Sequence, residues 1–129
     1  MALARRSFRH RGCTFEVPPG VLNPTVFRAS FVFAEAAVAA APPARGEVLE
    51  LGCGAGLAAV LLARAGHHVT ATDIDVGALA ATRANADRNR AVVGVVGCDW
   101  ESGLDPRRCF DLVVVNPPFL PIDQLQMVG

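Results

Sequence analysis

The sequence predicts an α/β fold with a parallel, Rossmann-like sheet. Short apolar segments alternate with helical segments of about ten or more residues, a pattern typical of parallel strands joined by right-handed crossovers. The apolar segments are continuous rather than alternating, as expected of strands in a sheet covered on both faces. A glycine-rich stretch separates the first of these strands from its helix. We therefore expect strand order 3-2-1-4, with helices on both faces of the sheet.

The elements can be placed one after another along the chain. Residues 13–24 read as a short β segment and a loop, and residues 25–41 read as a helix. The regular alternation then comprises strand 47–51, helix 57–66, strand 68–73, helix 76–89, strand 91–97 and strand 110–115. Gly66 suits the end of its helix, and Asp75 suits the N-cap of the next. Residues 98–109 predict a weak helix at most.

The composition bounds the class of protein. An apolar content of 52% over 129 residues fits one packed domain and excludes a disordered chain. The net charge is zero, so no overall field favours nucleic acid or a membrane, and no apolar run approaches a membrane span. The four cysteines lack C-x-x-C spacing, which indicates buried thiols in a reducing, cytoplasmic compartment and no metal site. We interpret residues 1–12 as a basic, solvated arm that precedes a domain spanning residues 13–129.

The stretch LELGCGAG lies between the first strand of the alternation and its helix. It contains Gly52, Gly54 and Gly56, and glycine permits a tight turn whose backbone can approach a ligand closely. The N-terminus of the following helix favours negative charge. Glycine in such turns can also serve packing alone, so a second motif is needed to indicate a nucleoside site.

That second motif is an acid at the end of the next strand. Asp73 lies where a carboxylate can accept hydrogen bonds from the two hydroxyls of a ribose. Helix capping is the alternative role, which Asp73 and Asp75 could each play. The glycine spacing is G-x-G-x-G, whereas a dinucleotide site usually shows G-x-G-x-x-G.

LELGCGAG, with its acidic second residue, resembles the first motif of class I S-adenosylmethionine-dependent methyltransferases. The resemblance implies that S-adenosyl-L-methionine is the cofactor. It further implies which residues face the methionine part of that cofactor, namely Glu50, Gly52, Cys53, Gly54 and Gly56.

The same resemblance extends to the residues that follow the second and third strands. It implies that Asp73 and Ile74 hold the ribose and one edge of the adenine. It implies that Asp99 accepts a hydrogen bond from the adenine amino group, with Trp100 packed nearby. A plain loop acid and a core-edge aromatic are the alternatives for Asp99 and Trp100.

The stretch VVVNPPFLP ends the fourth strand abruptly, and the predicted topology brings it beside the glycine loop. The side-chain carbonyl of Asn116 and the backbone carbonyl of Pro117 can together accept both hydrogens of an –NH2 group. The prolines fix these acceptors before a substrate arrives. Phe119 offers a flat apolar face to a planar substrate. Held in this way, a conjugated nitrogen can turn its lone pair towards a methyl donor, so positioning is the main catalytic tool.

NPPF resembles the N/D-P-P-Y/F signature of methyltransferases that act on planar nitrogens. The resemblance implies a protein or nucleic-acid substrate, either a glutamine amide or an exocyclic base amine of RNA or DNA. It implies that Asn116, Pro117 and Phe119 are catalytic and that Asn116 also contacts the cofactor. The stretch PPGVLNPTVFRAS is similar to the lead-in of the release-factor glutamine methyltransferase group and its small-domain relatives.

The resemblance covers residues 13–121, and class I methyltransferases have further strands beyond the fourth. We therefore expect the chain to hold the N-terminal part of that fold, with its C-terminal half missing. The fourth strand would then be an apolar edge through which a second copy or a partner chain pairs. Two other functions stay open. One is a cofactor-binding module that catalyses nothing, and the other is a nicotinamide-dependent oxidoreductase half-domain, which the glycine spacing disfavours.

Overall fold

The structure, a computed structural model, describes residues 6–21 and 28–116. A two-stranded hairpin comes first, followed by a four-stranded sheet with its helices. The elements in chain order are β1 (Arg6–His10), β2 (Cys13–Val17), α1 (Arg28–Ala40), β3 (Glu47–Leu51), α2 (Leu57–Arg64), β4 (His68–Asp73), α3 (Val76–Arg88), β5 (Val93–Gly97) and β6 (Leu112–Val115).

The larger sheet has the order β5-β4-β3-β6, and all three strand pairs are parallel. This confirms the predicted order 3-2-1-4. Val48 of β3 pairs with Val69 of β4 on one side and with Leu112 of β6 on the other. The order reverses between β3 and β6, so these two strands flank the crevice in which ligands of such sheets bind.

The three helices pack on one face of the sheet. Ala37 of α1, Leu62 of α2 and Leu79 of α3 share one buried cluster with sheet residues. Those sheet residues, which register places on one face, are Val48, Val69, Ala71 and Val114. Burial of these aliphatic side chains stabilises the sandwich by about 1.5–3 kcal/mol for each of the larger ones.

The prediction of helices on both faces holds for only one face of the described sheet. In residues 98–111 the chain forms turns and no helix, because the segment lacks an apolar stripe of helical period. It covers part of the second face through polar contacts, and the Arg108 guanidinium donates to Thr70 Oγ1 at 3.2 Å. On the same face, Val113 and Val115 are 50% and 41% exposed.

The N-terminal hairpin corrects the interpretation of residues 1–12 as a solvated arm. Residues Arg6–His10 form β1, which pairs antiparallel with β2. Arg11 and Gly12 make the connection with φ values of 49° and 76°, as a two-residue hairpin turn with matching twist requires. The domain boundary at residue 13 stays a prediction, although β1 and β2 fold as one unit.

Aromatic packing explains why β1 docks on the protein. The ring of Phe8 stacks on that of Phe15 with 5.1 Å between centroids and meets Phe31 of α1 edge-on at 5.5 Å. Phe15 is fully buried. Glu35 of α1 accepts hydrogen bonds from Arg11 at the turn, which adds a polar clamp at the rim. The two-residue spacing of Phe8 and His10, the partly buried residues of β1, carried this signal, but five residues are too few to outweigh the basic composition.

The remaining boundaries within the described residues agree with the predictions or shift by one or two residues. Helix α2 ends at Arg64, and Gly66 follows with φ 102°, the left-handed value expected after a helix. Asp75 is the N-cap of α3 as predicted, since its Oδ1 accepts from Gly77 N–H at 3.1 Å. The predicted helix start at residue 25 lies outside the described residues. Of helices α1–α3, none is long and apolar enough to cross a membrane.

Candidate functional site

The carboxyl ends of the parallel strands form the edge at which the predicted site residues lie. Leu51, the last residue of β3, pairs with Val115, the last residue of β6. Gly52 and Asn116 therefore leave neighbouring strands at the same level, and such strands lie about 4.8 Å apart. The structure thus brings the start of the glycine loop beside the first residue of the NPPF stretch, and Asn116 is half-buried there.

The glycine loop adopts backbone conformations that require glycine. Gly52, Gly54 and Gly56 have φ values of 78°, 55° and 90°, all in the left-handed region that side chains with a Cβ rarely adopt. A Cβ added at Gly52 or Gly54 would meet no atom within 4 Å. Open space therefore lies against the backbone at these two positions, and a ligand can approach the chain there.

Most N–H groups of residues 52–56 are already bonded within the protein. The donors are the N–H groups of Gly52, Cys53, Gly54 and Gly56, whose acceptors are Thr72 O (twice), Asp73 Oδ2 and Cys53 O. A phosphate cradle instead turns several loop N–H groups towards its ligand. The loop is therefore better suited to a ligand without a pyrophosphate.

Asp73 ties the loop to the end of β4. Its Oδ2 accepts from Gly54 N–H at 3.0 Å, and its Oδ1 accepts from Asp75 N–H at 2.9 Å. A carboxylate oxygen can accept more than one hydrogen bond, so both oxygens keep acceptor capacity. The side chain is half-buried at the sheet edge. It can therefore hold the loop and accept from ligand hydroxyls at the same time.

Glu50 is a buried carboxyl at this edge whose pKa is strongly raised. It is buried at 3% exposure, and its Oε1 has no hydrogen-bond partner within residues 6–21 and 28–116. Burial raises the pKa of this carboxyl to about 8, against the opposing effect of a hydrogen bond from the Ala59 backbone, and the charge of Asp73 raises it further. A buried polar atom without a partner costs about 1–3 kcal/mol. Glu50 is thus suited to a ligand that supplies the missing partner.

Cys53 points away from the open side of the loop. Its sulfur lies 3.2 Å from Thr82 Oγ1, and burial raises the pKa of the thiol to about 12. The thiol is therefore neutral at physiological pH and serves as a small packed side chain. Any contact that Cys53 makes with a ligand would come from its backbone, so the predicted contact stays a prediction.

The residues predicted to surround an adenine lie together at the ends of β4 and β5. Cys98 N–H donates to Asp73 O at 3.1 Å, which joins the segment after β5 to the acid. Ile74 is 76% exposed and Trp100 is 50% exposed, and Asp99, two residues after β5, is also exposed. Exposed apolar faces next to a polar acceptor suit a planar base.

Pro117 and Phe119 lie outside the described residues, so their predicted roles stay predictions. No group of three or more histidine, cysteine or acidic side chains that could hold a metal ion occurs between residues 28 and 116 or in the hairpin.

Two residues of α3 that contact the loop, Thr82 and Asn85, were not predicted from the sequence. Polar residues spaced along one face of an alanine-rich helix, in TRANADRN, were the available signal.

Fold and site together define a nucleoside-binding α/β domain with a polar residue at the end of its fourth parallel strand. The chain belongs to the family described as the methyltransferase small domain, whose family model matches residues 15–127.

Similar proteins agree with this assignment. The chain is 39% identical over 112 residues to the release factor glutamine methyltransferase of Koribacter versatilis, covering 84% of this chain and 39% of that one. It is 39% identical over 74 residues to the ribosomal RNA small subunit methyltransferase C of Alcanivorax borkumensis, covering 57% of this chain and 22% of that protein. The chain thus spans well under half the length of these relatives.

A solved structure with the same fold carries ligands. The T. thermophilus 16S rRNA N2 G1207 methyltransferase, in complex with AdoMet and guanosine, superposes with a TM-score of 0.76 at 29% identity. The superposition covers 91% of this chain and 33% of that chain. The prediction of a methyltransferase-type Rossmann-like fold is therefore confirmed.

Proposed function

We propose that this chain is the cofactor-binding part of an S-adenosyl-L-methionine-dependent N-methyltransferase that acts on a planar –NH2 nitrogen. The observation that carries the proposal is the register of β3 and β6. Leu51 pairs with Val115, so Asn116 lies beside Gly52 and the glycine loop. Asn116, the first residue of the proposed amino-group clamp, is thereby adjacent to the loop on which the methyl donor would bind.

The residues of this edge fit the proposed cofactor. Glu50 carries a buried oxygen without a partner among the described residues, which suits the amino group of the methionine part. Open space lies against Gly52 and Gly54, where that part can contact the backbone. Asp73 keeps acceptor capacity for the ribose hydroxyls, and Ile74 offers an apolar face to the adenine.

The proposed reaction rests on positioning by the chain's own residues. When bound, the cofactor supplies an electrophilic methyl group on a sulfonium. Asn116 accepts one hydrogen of the substrate –NH2 group through its side-chain carbonyl, and Pro117 accepts the other through its backbone carbonyl. Phe119 stacks on the planar substrate. Such orientation can supply several kcal/mol of the barrier, and the proton leaves the nitrogen after methylation.

The two alternatives from the sequence fit less well. A nicotinamide cofactor needs loop N–H groups for its pyrophosphate, but those of Gly52, Cys53, Gly54 and Gly56 have partners inside the protein. A non-catalytic binding module would explain the cofactor loop but not the polar side chain of Asn116 at the end of β6.

We infer a cytoplasmic location, which agrees with the free thiols of all four cysteines.

The names of the relatives support two kinds of methyl acceptor. Some relatives are named as glutamine methyltransferases of release factors, and others are named as methyltransferases of ribosomal RNA. Both offer a planar nitrogen with two hydrogens, so the substrate proposed here is a protein glutamine amide or an exocyclic base amine.

The test is methyl transfer from radiolabelled S-adenosyl-L-methionine to release factor and to ribosomal RNA, followed by mass spectrometry of the product. We expect the label on an amide or exocyclic amine nitrogen. A calorimetric titration of the cofactor separates binding from catalysis. Absence of cofactor binding, or a label on oxygen or carbon, would overturn the proposal, whereas binding without transfer to either acceptor would favour the non-catalytic module.

A further inference from the structure

One side chain contacts both the glycine loop and the N-terminal hairpin. Asn85 of α3 is fully buried, and its Nδ2 donates to Ala55 O at 2.8 Å and to Glu16 O at 2.9 Å. Its Oδ1 accepts from Glu16 N–H at 2.8 Å and from the Arg88 guanidinium. Two carbonyls on one side and two donors on the other define the orientation of this amide.

A second residue of α3 holds the preceding peptide of the loop. Thr82 Oγ1 donates to Gly54 O at 2.9 Å. The carbonyls of Gly54 and Ala55 are thus both bonded on the α3 side. In a trans peptide the N–H points opposite to the carbonyl, so the N–H groups of Ala55 and Gly56 point away from α3. Gly56 N–H bonds to Cys53 O, so this carbonyl and the α3 side chains together hold the loop.

The loop also rests directly against the helix. A Cβ added at Gly56 would lie 3.0 to 3.1 Å from three atoms of Thr82, including its Cα. These distances are tighter than most Cβ contacts in proteins, so a side chain at residue 56 would require Thr82 to shift as well as an unfavourable left-handed φ. The loop therefore packs directly against α3 at Gly56.

We infer that Asn85 and Thr82 are positioning residues for the cofactor, acting through the carbonyls of Ala55 and Gly54 to which they donate. The inference rests on the proposed function, because it concerns the loop to which S-adenosyl-L-methionine would bind. Neither side chain touches the open side of the loop. Both act by turning the carbonyls of Gly54 and Ala55 inwards.

Asn89, the C-cap residue of α3, provides a matched control one turn beyond Asn85. Its Oδ1 accepts from Thr14 N–H at 2.8 Å, and its Nδ2 donates to Thr14 O at 2.8 Å. It therefore clamps the hairpin strand β2 in the same way as Asn85 does. Its second Nδ2 contact is with Asn85 O within the helix, not with the loop.

The experiment compares Asn85→Asp with Asn89→Asp, since each variant keeps the acceptor and loses the donor to the hairpin carbonyl. The probe is S-adenosylhomocysteine, titrated by calorimetry. We expect Asn85→Asp to weaken binding about tenfold or more, because the Ala55 carbonyl loses its buried donor, and Asn89→Asp to stay within about twofold of the wild type. Amide hydrogen exchange of Gly54 and Gly56 in the free protein should accelerate only in Asn85→Asp.

A second pair covers the case in which Asn85→Asp does not fold. Thr82→Val removes the donor to Gly54 O and leaves the hairpin contacts intact, whereas Thr82→Ser keeps the hydroxyl. We expect weaker binding and faster loop exchange in Thr82→Val, and near wild-type values in Thr82→Ser. Equal affinity and equal loop exchange in Asn85→Asp and Asn89→Asp, or in both Thr82 variants, would overturn the inference. A wild-type protein that does not bind the probe would contradict the proposed function instead, and loop exchange would still decide the role of α3.

Discussion

The Asp73 carboxylate accepts a hydrogen bond from the Gly54 backbone N–H, with 3.0 Å between Oδ2 and the nitrogen. This bond joins the two sequence features that first indicated a nucleoside site, the glycine loop after β3 and the acid at the end of β4. Asp73 therefore has two roles, since it shapes the loop and offers its remaining lone pairs to a ligand. Changes at Asp73 should affect both.

For Asp73→Ala we expect a loss of about 1–3 kcal/mol in the free energy of cofactor binding, because two ribose hydroxyls and the loop lose a charged acceptor. Calorimetry with S-adenosyl-L-methionine measures the loss. Asp75→Ala is the matched control, since it removes the N-cap contact to Gly77 and leaves the proposed ribose acceptor in place. Unchanged affinity in a folded Asp73→Ala protein would refute the ribose role.

Glu50 should make the stability of the protein depend on pH. Its pKa is about 8 in the folded protein, against an ordinary value of 4.5 for the solvated side chain, so the carboxyl ionises first in the unfolded chain. Stability from this group is fully present below pH 4.5 and is lost as the pH rises towards 8. We expect the free energy of unfolding, relative to Glu50→Gln, to fall by a few kcal/mol between about pH 5 and about pH 8. Urea titrations across this range test it, and parallel pH profiles would show that Glu50 does not titrate this way.

The same carboxyl should release a proton when the cofactor binds. At about pH 7 the buried group is protonated in the free protein, and a nearby ammonium group of the ligand would favour its charged form. The binding enthalpy should therefore depend on the ionisation enthalpy of the buffer, with a fraction of a proton released per ligand. Glu50→Gln should abolish this dependence. A buffer-independent enthalpy in the wild type would mean that Glu50 does not face the amino group.

Asn116→Ala should leave cofactor affinity close to that of the wild type and reduce methyl transfer by about 10²-fold or more, the scale of one lost preorganised contact to the transition state. Asn116→Asp should lose less, because the acceptor oxygen is kept. Phe119→Ala should chiefly weaken substrate binding. Single-turnover rates and calorimetry on the same preparations separate these effects. If Asn116→Ala turned over the natural substrate at the wild-type rate, the NPPF stretch would have no catalytic role and would serve only as a turn.

Strand β6 should be a site of self-association in the 129-residue chain. Among residues 6–21 and 28–116 it is an end strand of the sheet, and its Val113 and Val115 are 50% and 41% exposed. An exposed apolar edge strand pairs readily with another chain, and lysine on such a strand opposes pairing. We expect Val113→Lys to lower the sedimentation coefficient towards the monomer. Val32→Lys, at an exposed valine of α1, is the control and should have no effect; a wild-type monomer at high concentration would exclude this edge as an interface.

The sequence by itself determined the order of elements, the sheet topology and the position of the ligand edge. Strand and helix periods differ, so β3, α2, β4 and α3 could be located within a few residues, and the doubly wound arrangement typical of this alternation then predicted the strand order. Gly52, Asp73 and Asn116 each lie at or just after a strand end. Parallel strands end at one edge, so their proximity followed from topology without any side-chain detail.

Only the tertiary structure decided which elements pack against the ligand edge and how burial shifts the pKa of Glu50. The docking of β1 depends on Phe8 meeting Phe15 and Phe31, which no local pattern of five residues predicts. The raised pKa of Glu50 comes from desolvation, a property of everything packed around the carboxyl rather than of its neighbours in sequence. The bond from Asn85 to Ala55 joins residues 30 positions apart, and its existence depends on the seating of α3 against the loop, which only the assembled core fixes.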